Sequence, residues 1–222
     1  MSNFFCTNGG RSPCEANCQT PARPCCPCGD DFRRALELLC CPQLRSLIDF
    51  NAFAFVSGFY VLGAALDAPP AGTASGDNLS DLSGRYVCGS DSCETITVSG
   101  TLNPPVAGST ALDATVTQAA LCRLTAVAFD AAADTTETAA DNFQSVSQIL
   151  GQLLRPHRHQ DCCSVADALT SAAAVRASTV AAGPLVVANS VILGQIGNIL
   201  VLANSTDNRF YFICVADIDF LG

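Results

Sequence analysis

Lysine is missing altogether: all 11 basic residues of this 222-residue chain are arginine. Isopeptide cross-links through lysine are therefore excluded, and sulfur is the obvious route to any covalent assembly. Charge of either sign is scarce. Only 14% of the residues are charged, against roughly a quarter in an ordinary soluble globular protein, and a surface short of charge favours association. The formal net charge is −9. No basic stripe exists to neutralise phosphates, which excludes nucleic acid as a partner.

Long apolar runs are missing too. The most lipid-like stretch, Asn51 to Leu66, lies between Asp49 and Asp67 and contains Ser57, Gly58, Gly63 and four aromatics. It is short for a membrane span and reads as a pair of buried strands. The opening Met1-Ser-Asn-Phe-Phe-Cys6 lacks the basic and long apolar regions of a secretory signal.

Catalytic signatures are equally absent. There is no GxSxG, no phosphate-binding glycine loop and no HExxH. The acidic cluster Asp130, Asp134, Glu137 and Asp141 reads as a solvated linker. A Cys–His pair can be drawn in the loop that holds His159, Asp161 and Cys162, but nothing there fixes the imidazole, so we expect no enzyme. Asn78-Leu-Ser and Asn204-Ser-Thr match a glycosylation sequon without a secretory context to use it.

What the chain does have is cysteine, 14 in all. Eight fall in the first forty-one residues: Cys6, Cys14, Cys18, Cys25, Cys26, Cys28, Cys40 and Cys41. The segment CEANCQTPARPCCPC has almost no large apolar side chain, so burial cannot offset the entropy of ordering it. Residues 1–29 read as an irregular cysteine-rich arm and 30–222 as a single assembly domain. Cytosolic chains rarely keep disulfides, so this many cysteines without a signal sets up a conflict of compartment.

Three pairs are vicinal: Cys25–Cys26, Cys40–Cys41 and Cys162–Cys163. Neighbouring cysteines rarely bond to one another, because the ring is strained. Each pair is then a branch point, which suits a network between subunits. Cys6, Cys14, Cys18, Cys25, Cys26, Cys28, Cys40, Cys41, Cys162 and Cys163 are accordingly the candidates for inter-subunit disulfides. The plainer alternative for Cys40, Cys41, Cys122 and Cys214 is a small buried apolar residue. Metal is the rival chemistry: His157, His159, Cys162 and Cys163 form a ligand set suited to Zn or Cu, at a spacing that matches no standard zinc motif.

Periodicity fills in the rest. Asp30 or Asp31 caps a helix through RRALELLCC, and Pro42 opens a short second helix, PQLRSLIDF. AFAFVSGFYVLG reads as strand and 68–83 as surface loop. RYVC and CETITVSGTL form a hairpin that sets Cys88 opposite Cys93, a candidate intra-chain disulfide. ALCRLTAVAF is strand, DNFQSVSQILGQLL is helix, and the alanine-rich SVADALTSAAAVRAS is helix. From Gly183 onward three strands close the sheet as a meander. The fold class is α+β: an antiparallel, sandwich-like β core with two or three helices.

The cysteine-loaded arm leading into DDFRRALELLCCPQLRSLIDF, with the Cys40–Cys41–Pro42 junction as its most specific part, resembles the cysteine-rich coat and exosporium proteins of spore-forming Firmicutes, especially those of clostridia. The resemblance rests on the first fifty to sixty residues. It implies a structural protein, made in the mother-cell cytoplasm without a signal peptide, that builds disulfide-fixed lattices in the spore's outer layers. Oxidation would follow mother-cell lysis, which removes the conflict of compartment. The expected partners are further copies of the chain and other cysteine-rich envelope proteins; our own expectation is that the folded domain associates through uncharged surfaces into a closed ring. No cofactor is implied.

Overall fold

The structure, a computed structural model, describes residues 28–57, 81–89, 94–102, 115–133, 138–154, 179–183 and 185–221. Three helices are seen there: α1 (Gly29–Leu39), α2 (Pro42–Arg45) and α3 (Ala139–Leu153). The strands are β1 (Ile48–Ser57), β2 (Asp81–Tyr86), β3 (Thr95–Leu102), β4 (Thr115–Ala120), β5 (Leu124–Ala131), β6 (Thr179–Ala182), β7 (Leu185–Ala188), β8 (Val191–Ile196), β9 (Ile199–Asn204), β10 (Arg209–Cys214) and β11 (Ile218–Leu221). Eight of them form one sheet in the order β4-β3-β2-β1-β5-β10-β9-β8, and three form a second in the order β11-β6-β7. Every pairing is antiparallel. The fold is α+β with a β core.

Alternation along the central strands builds two cores, one on each face of the large sheet. Phe53, Phe55, Val127, Phe129, Val201, Phe210 and Phe212 face the helices. Val56, Ala126, Ala128, Leu200, Leu202, Tyr211 and Ile213 face the small sheet, against Val180, Ala182, Leu185 and Val187. A strand covered on both faces reads as an unbroken apolar run, which is why ILVLAN and RFYFIC show no polar alternation. The β2–β4 limb contributes only to the helix-side core.

Aromatic side chains tie that helix-side core together across four strands. Phe129 lies directly opposite Phe53 on one side and Phe210 on the other, with ring centroids 5.5 and 5.3 Å apart. Tyr86 extends the row beyond Phe53, at 5.5 Å, and Phe143 of α3 meets Phe210 at 4.8 Å. At the β2–β3 pair, Gly84 and Gly100 face each other; a Cβ on either would run into the backbone of the opposite strand.

Helix α3 starts earlier than its apolar spacing suggests. Thr138 is its N-cap, and a capping box joins Thr138 to Asp141: the Asp141 N–H donates to Thr138 Oγ1 at 3.3 Å, while the Thr138 N–H donates to Asp141 Oδ2 at 3.2 Å. Asp130 forms a two-pronged ion pair with Arg209, directly across the β5–β10 ladder, at 2.6 and 2.9 Å. Two members of the expected acidic linker thus have structural roles.

Other boundaries differ as well. The second helix stops at Arg45, and Ile48 is already strand, because Ile48, Phe53 and Phe55 are required in the core. β2 begins at Asp81, inside the expected loop. A 3₁₀ turn, Leu121–Arg123, interrupts the single strand expected through ALCRLTAVAF. After Gly183 there are five strands: β8–β10 form the meander, whereas β7 and β11 belong to the second sheet. The alanine-rich segment and residues 58–80 lie outside the described residues.

Candidate functional site

Helix α1 crosses the large sheet and is bonded to it through sulfur at both ends. Phe32, Leu36 and Leu39 are fully buried beneath it, each at 0% exposure, and each such side chain contributes about 1.5–3 kcal/mol by leaving water. Its N-cap, Cys28, is bonded to Cys214 at the end of β10, with Cα atoms 5.7 Å apart and a sequence separation of 186. Its C-cap, Cys40, is bonded to Cys88, just beyond β2, with Cα atoms 5.8 Å apart and a separation of 48. In the sheet, β2 and β10 are separated by β1 and β5, a distance of about 14 Å at ~4.8 Å per strand spacing. The helical path from Cys28 to Cys40 rises about 18 Å, so α1 is long enough to bridge them on a slant.

A carboxylate reinforces the first of these bonds. Asp31 Oδ2 accepts from the backbone N–H of Asn198 at 2.9 Å and from its Nδ2 at 3.1 Å. Gly197 and Asn198 form the two-residue turn between β8 and β9, with Gly197 at φ +55°, a conformation that favours glycine. The Asn198 carbonyl in turn accepts from the Val215 N–H at 2.8 Å. The start of α1, the β8–β9 turn and the end of β10 are thereby held as one unit.

All six cysteines among the described residues are half-cystines: Cys28, Cys40, Cys41, Cys88, Cys122 and Cys214. These bonds bear on three expectations. Cys28 and Cys40 were candidates for bonds between subunits, but each is bonded within the chain; Cys41 is a half-cystine as well. Cys88 was expected opposite Cys93; the hairpin forms, but its register pairs Tyr86 with Val98. The connection is therefore longer than four residues, and Cys88 reaches Cys40 instead. For Cys122 and Cys214 the plainer alternative was an ordinary buried apolar residue. Cys214 is indeed buried, at 2% exposure, but covalently so, and Cys122 is an exposed member of the 3₁₀ turn.

The vicinal pair Cys40–Cys41 does branch, since Cys40 bonds Cys88 and Cys41 is bonded separately. The Cys40 branch stays within the subunit. Cys6, Cys14, Cys18, Cys25, Cys26, Cys93, Cys162 and Cys163, with His157 and His159, lie outside the described residues.

The remaining polar groups serve the fold. The sequon residue Asn204 is buried, and its Nδ2 donates to Asp207 Oδ2 at 2.9 Å, while its Oδ1 accepts from the Thr206 N–H at 2.8 Å. An amide so engaged is structural. Burial raises the Tyr211 phenol above its usual 10.0, against the opposing pull of Arg209. The hydrogen bond to Asp130 holds the Arg209 guanidinium above its ordinary value. A groove of about 340 Å³ between α1, the end of α3 and β8 is lined by Arg34, Leu38, Leu153, Leu154, Gln195, Ile196 and Gly197. Its walls carry no carboxylate, imidazole or thiol.

A broad apolar sheet with a helix fastened across it by disulfides defines a covalently reinforced domain. Residues 25–222 match the family described as spore coat protein CotA-like, and the chain belongs to that family. It is 29% identical over 272 aligned residues to the spore coat protein CotA of Clostridioides difficile (strain 630), with 90% of this chain and 84% of that protein covered. No solved structure matches. Family membership assigns the chain a structural role in the spore coat. No helix among the described residues is long and apolar enough to cross a membrane.

Proposed function

We propose that the chain self-assembles into a lattice or shell of the spore envelope and that disulfides between subunits make the assembly permanent. Residues 30–222 act as the assembling domain, and residues 1–29 act as a sulfur-bearing arm. The observation that supports this division is the use of sulfur within the domain. Cys28 with Cys214 and Cys40 with Cys88 are already bonded within the subunit, which supports assigning the links between subunits to cysteines among Cys6, Cys14, Cys18, Cys25, Cys26, Cys162 and Cys163. Non-covalent contacts set the geometry. Disulfides formed across existing contacts then add bonds at little further entropic cost, because the chains are already held together.

The test replaces Cys6, Cys14, Cys18, Cys25 and Cys26 by serine and leaves Cys28 in place. Electron microscopy of the purified protein should show ordered assemblies for both the variant and the parent. Resistance to boiling in detergent without reductant should be lost in the variant. Resistance that survived would remove the arm from the cross-linking role. A parent protein that formed only small uniform particles, with and without reductant, would end the lattice reading.

A further inference from the structure

At the end of the β3–β4 ladder, Ile96 pairs with Ala119 and Thr95 with Ala120. Beyond them the Leu121 N–H donates to the Glu94 carbonyl at 2.9 Å, so the same register runs one step past the strands and sets Glu94 opposite Leu121. The next step sets Cys93 opposite Cys122. Hydrogen-bonded and non-hydrogen-bonded pairs alternate along an antiparallel ladder, and the second kind brings Cα atoms to about 4.5 Å. That lies within the span of a disulfide, and directly opposed residues share a face. A 3₁₀ turn begins at Leu121, so regular strand geometry ends there. Cys93 and Cys122 nevertheless each stand one Cα step, about 3.8 Å, from the bonded pair.

Cys122 is a half-cystine. Four other described cysteines are bonded among themselves, Cys28 to Cys214 and Cys40 to Cys88, and cannot serve it. Cys41, the remaining described half-cystine, is only 8% exposed at the N-cap of α2, whereas Cys122 is exposed. A disulfide holds both sulfurs in one place, so burial sets these two apart, while register brings Cys93 to Cys122.

We infer that Cys93 and Cys122 are bonded to each other within the subunit, as a third internal staple. This bond is independent of whether copies assemble. It forms by exchange: the thiolate of one cysteine attacks a low-molecular-weight disulfide, giving a mixed disulfide and one small thiol, and the second cysteine displaces the other small thiol. Two protein thiols become one disulfide, and one small disulfide becomes two thiols.

The turn that carries Cys122 packs against α1. Cys28–Cys214 and Cys40–Cys88 hold the ends of that helix, and Cys93–Cys122 holds its seat. The connection between β2 and β3 is thereby fastened on both sides, through Cys88 to α1 and through Cys93 to the end of β4. Neither of its sulfurs is left for a neighbouring copy, which confines links between subunits to other cysteines.

In the test, equal amounts of ordinary and heavy-nitrogen-labelled protein are reduced, mixed and reoxidised together with glutathione disulfide. Cleavage at arginine, aspartate and glutamate separates Cys88, Cys93 and Cys122 from one another, and mass spectrometry of the unreduced peptides identifies each bond. We expect Cys93 joined to Cys122, in pairs of one isotope only. Cys122 joined to any other cysteine, or left as a thiol, overturns the inference, and so do pairs of mixed isotope, which mark a bond between chains. The variant Cys93→Ser gives a second reading. Alkylation of the oxidised variant should find one new thiol per chain, at Cys122, with Cys28–Cys214 and Cys40–Cys88 intact; a new thiol elsewhere, or none, overturns the inference equally. The peptide mapping uses the parent protein, so it decides even where the variant fails to fold.

Discussion

Asp31 lies in the first turn of α1, where a carboxylate would ordinarily answer the helix's own free N–H groups. Its oxygen instead accepts two hydrogen bonds from Asn198, so its role is tertiary. Its side chain is only 13% exposed, and its ion pair with the 63% exposed Arg34, at 3.7 Å, adds little in water. Asp31→Ala leaves the Asn198 donors unanswered. It should cost about 1.5–2 kcal/mol, the lower part of the range for hydrogen bonds to a charged acceptor. A shift in the urea midpoint at constant slope would show it; an unchanged midpoint would mean that the disulfide beside it already holds this corner.

Tyr211 gives the residue scale a dependence on pH. Its folded-state pKa is raised, first by burial, so the folded protein keeps the phenolic proton at pH values where the unfolded chain has lost it. The associated stability is complete below about pH 10, the unfolded value, and is lost as pH rises through the folded value. Denaturation series between pH 8 and 11 should show a decline that begins near pH 10 and is shallower in Tyr211→Phe. Equal slopes in the two proteins would assign the alkaline loss to other groups.

At the scale of elements, α1 and the strands beneath it depend on one another. Its apolar stripe at Phe32, Leu36 and Leu39 is plain in the sequence, and so are the strands ILVLAN and RFYFIC, because periodicity and continuous apolarity are local signals. Which sulfurs meet is not local. Cys28 and Cys214 are 186 residues apart, and only the strand order that places the end of β10 beneath the start of α1 brings them together. Cys88 was misplaced for a related reason: a hairpin can be read from alternation, but its register cannot.

Asp130 and Asp141 looked alike as members of an acidic spacer, and only tertiary structure separates an ion-pair partner from a capping residue. The element-scale prediction concerns the longer staple. Replacing Cys28 and Cys214 together by alanine releases the constraint on the unfolded chain. It should cost about 3–5 kcal/mol, near the upper end for disulfides because the closed loop is long. Thermal unfolding of the oxidised double variant measures this; a loss below 1 kcal/mol would mean that the Cys40–Cys88 bond and the apolar stripe alone keep α1 in place.

For the whole molecule, burial sorts the sulfur into classes. Cys28 and Cys214 are 3% and 2% exposed, whereas Cys40 and Cys88 are only partly buried against the core. Reduction proceeds by thiolate attack on a disulfide sulfur, so access governs its rate. In the proposed assembly the bonds between subunits are made by cysteines of the arm together with Cys162 and Cys163, after the subunits have folded, and thiol can reach them without unfolding the domain. A low concentration of thiol without denaturant should therefore open those bonds first, Cys40–Cys88 next and Cys28–Cys214 last. Alkylation at timed intervals followed by peptide mass spectrometry would give the order directly. The expected intermediate is a folded subunit with its α1 staple intact and its intermolecular bonds gone. Such a subunit should reassemble when reductant is removed. Opening of Cys28–Cys214 at the same rate as the arm bonds would show that the domain breathes on the timescale of exchange, and the separation between a permanent internal framework and a later external one would fail.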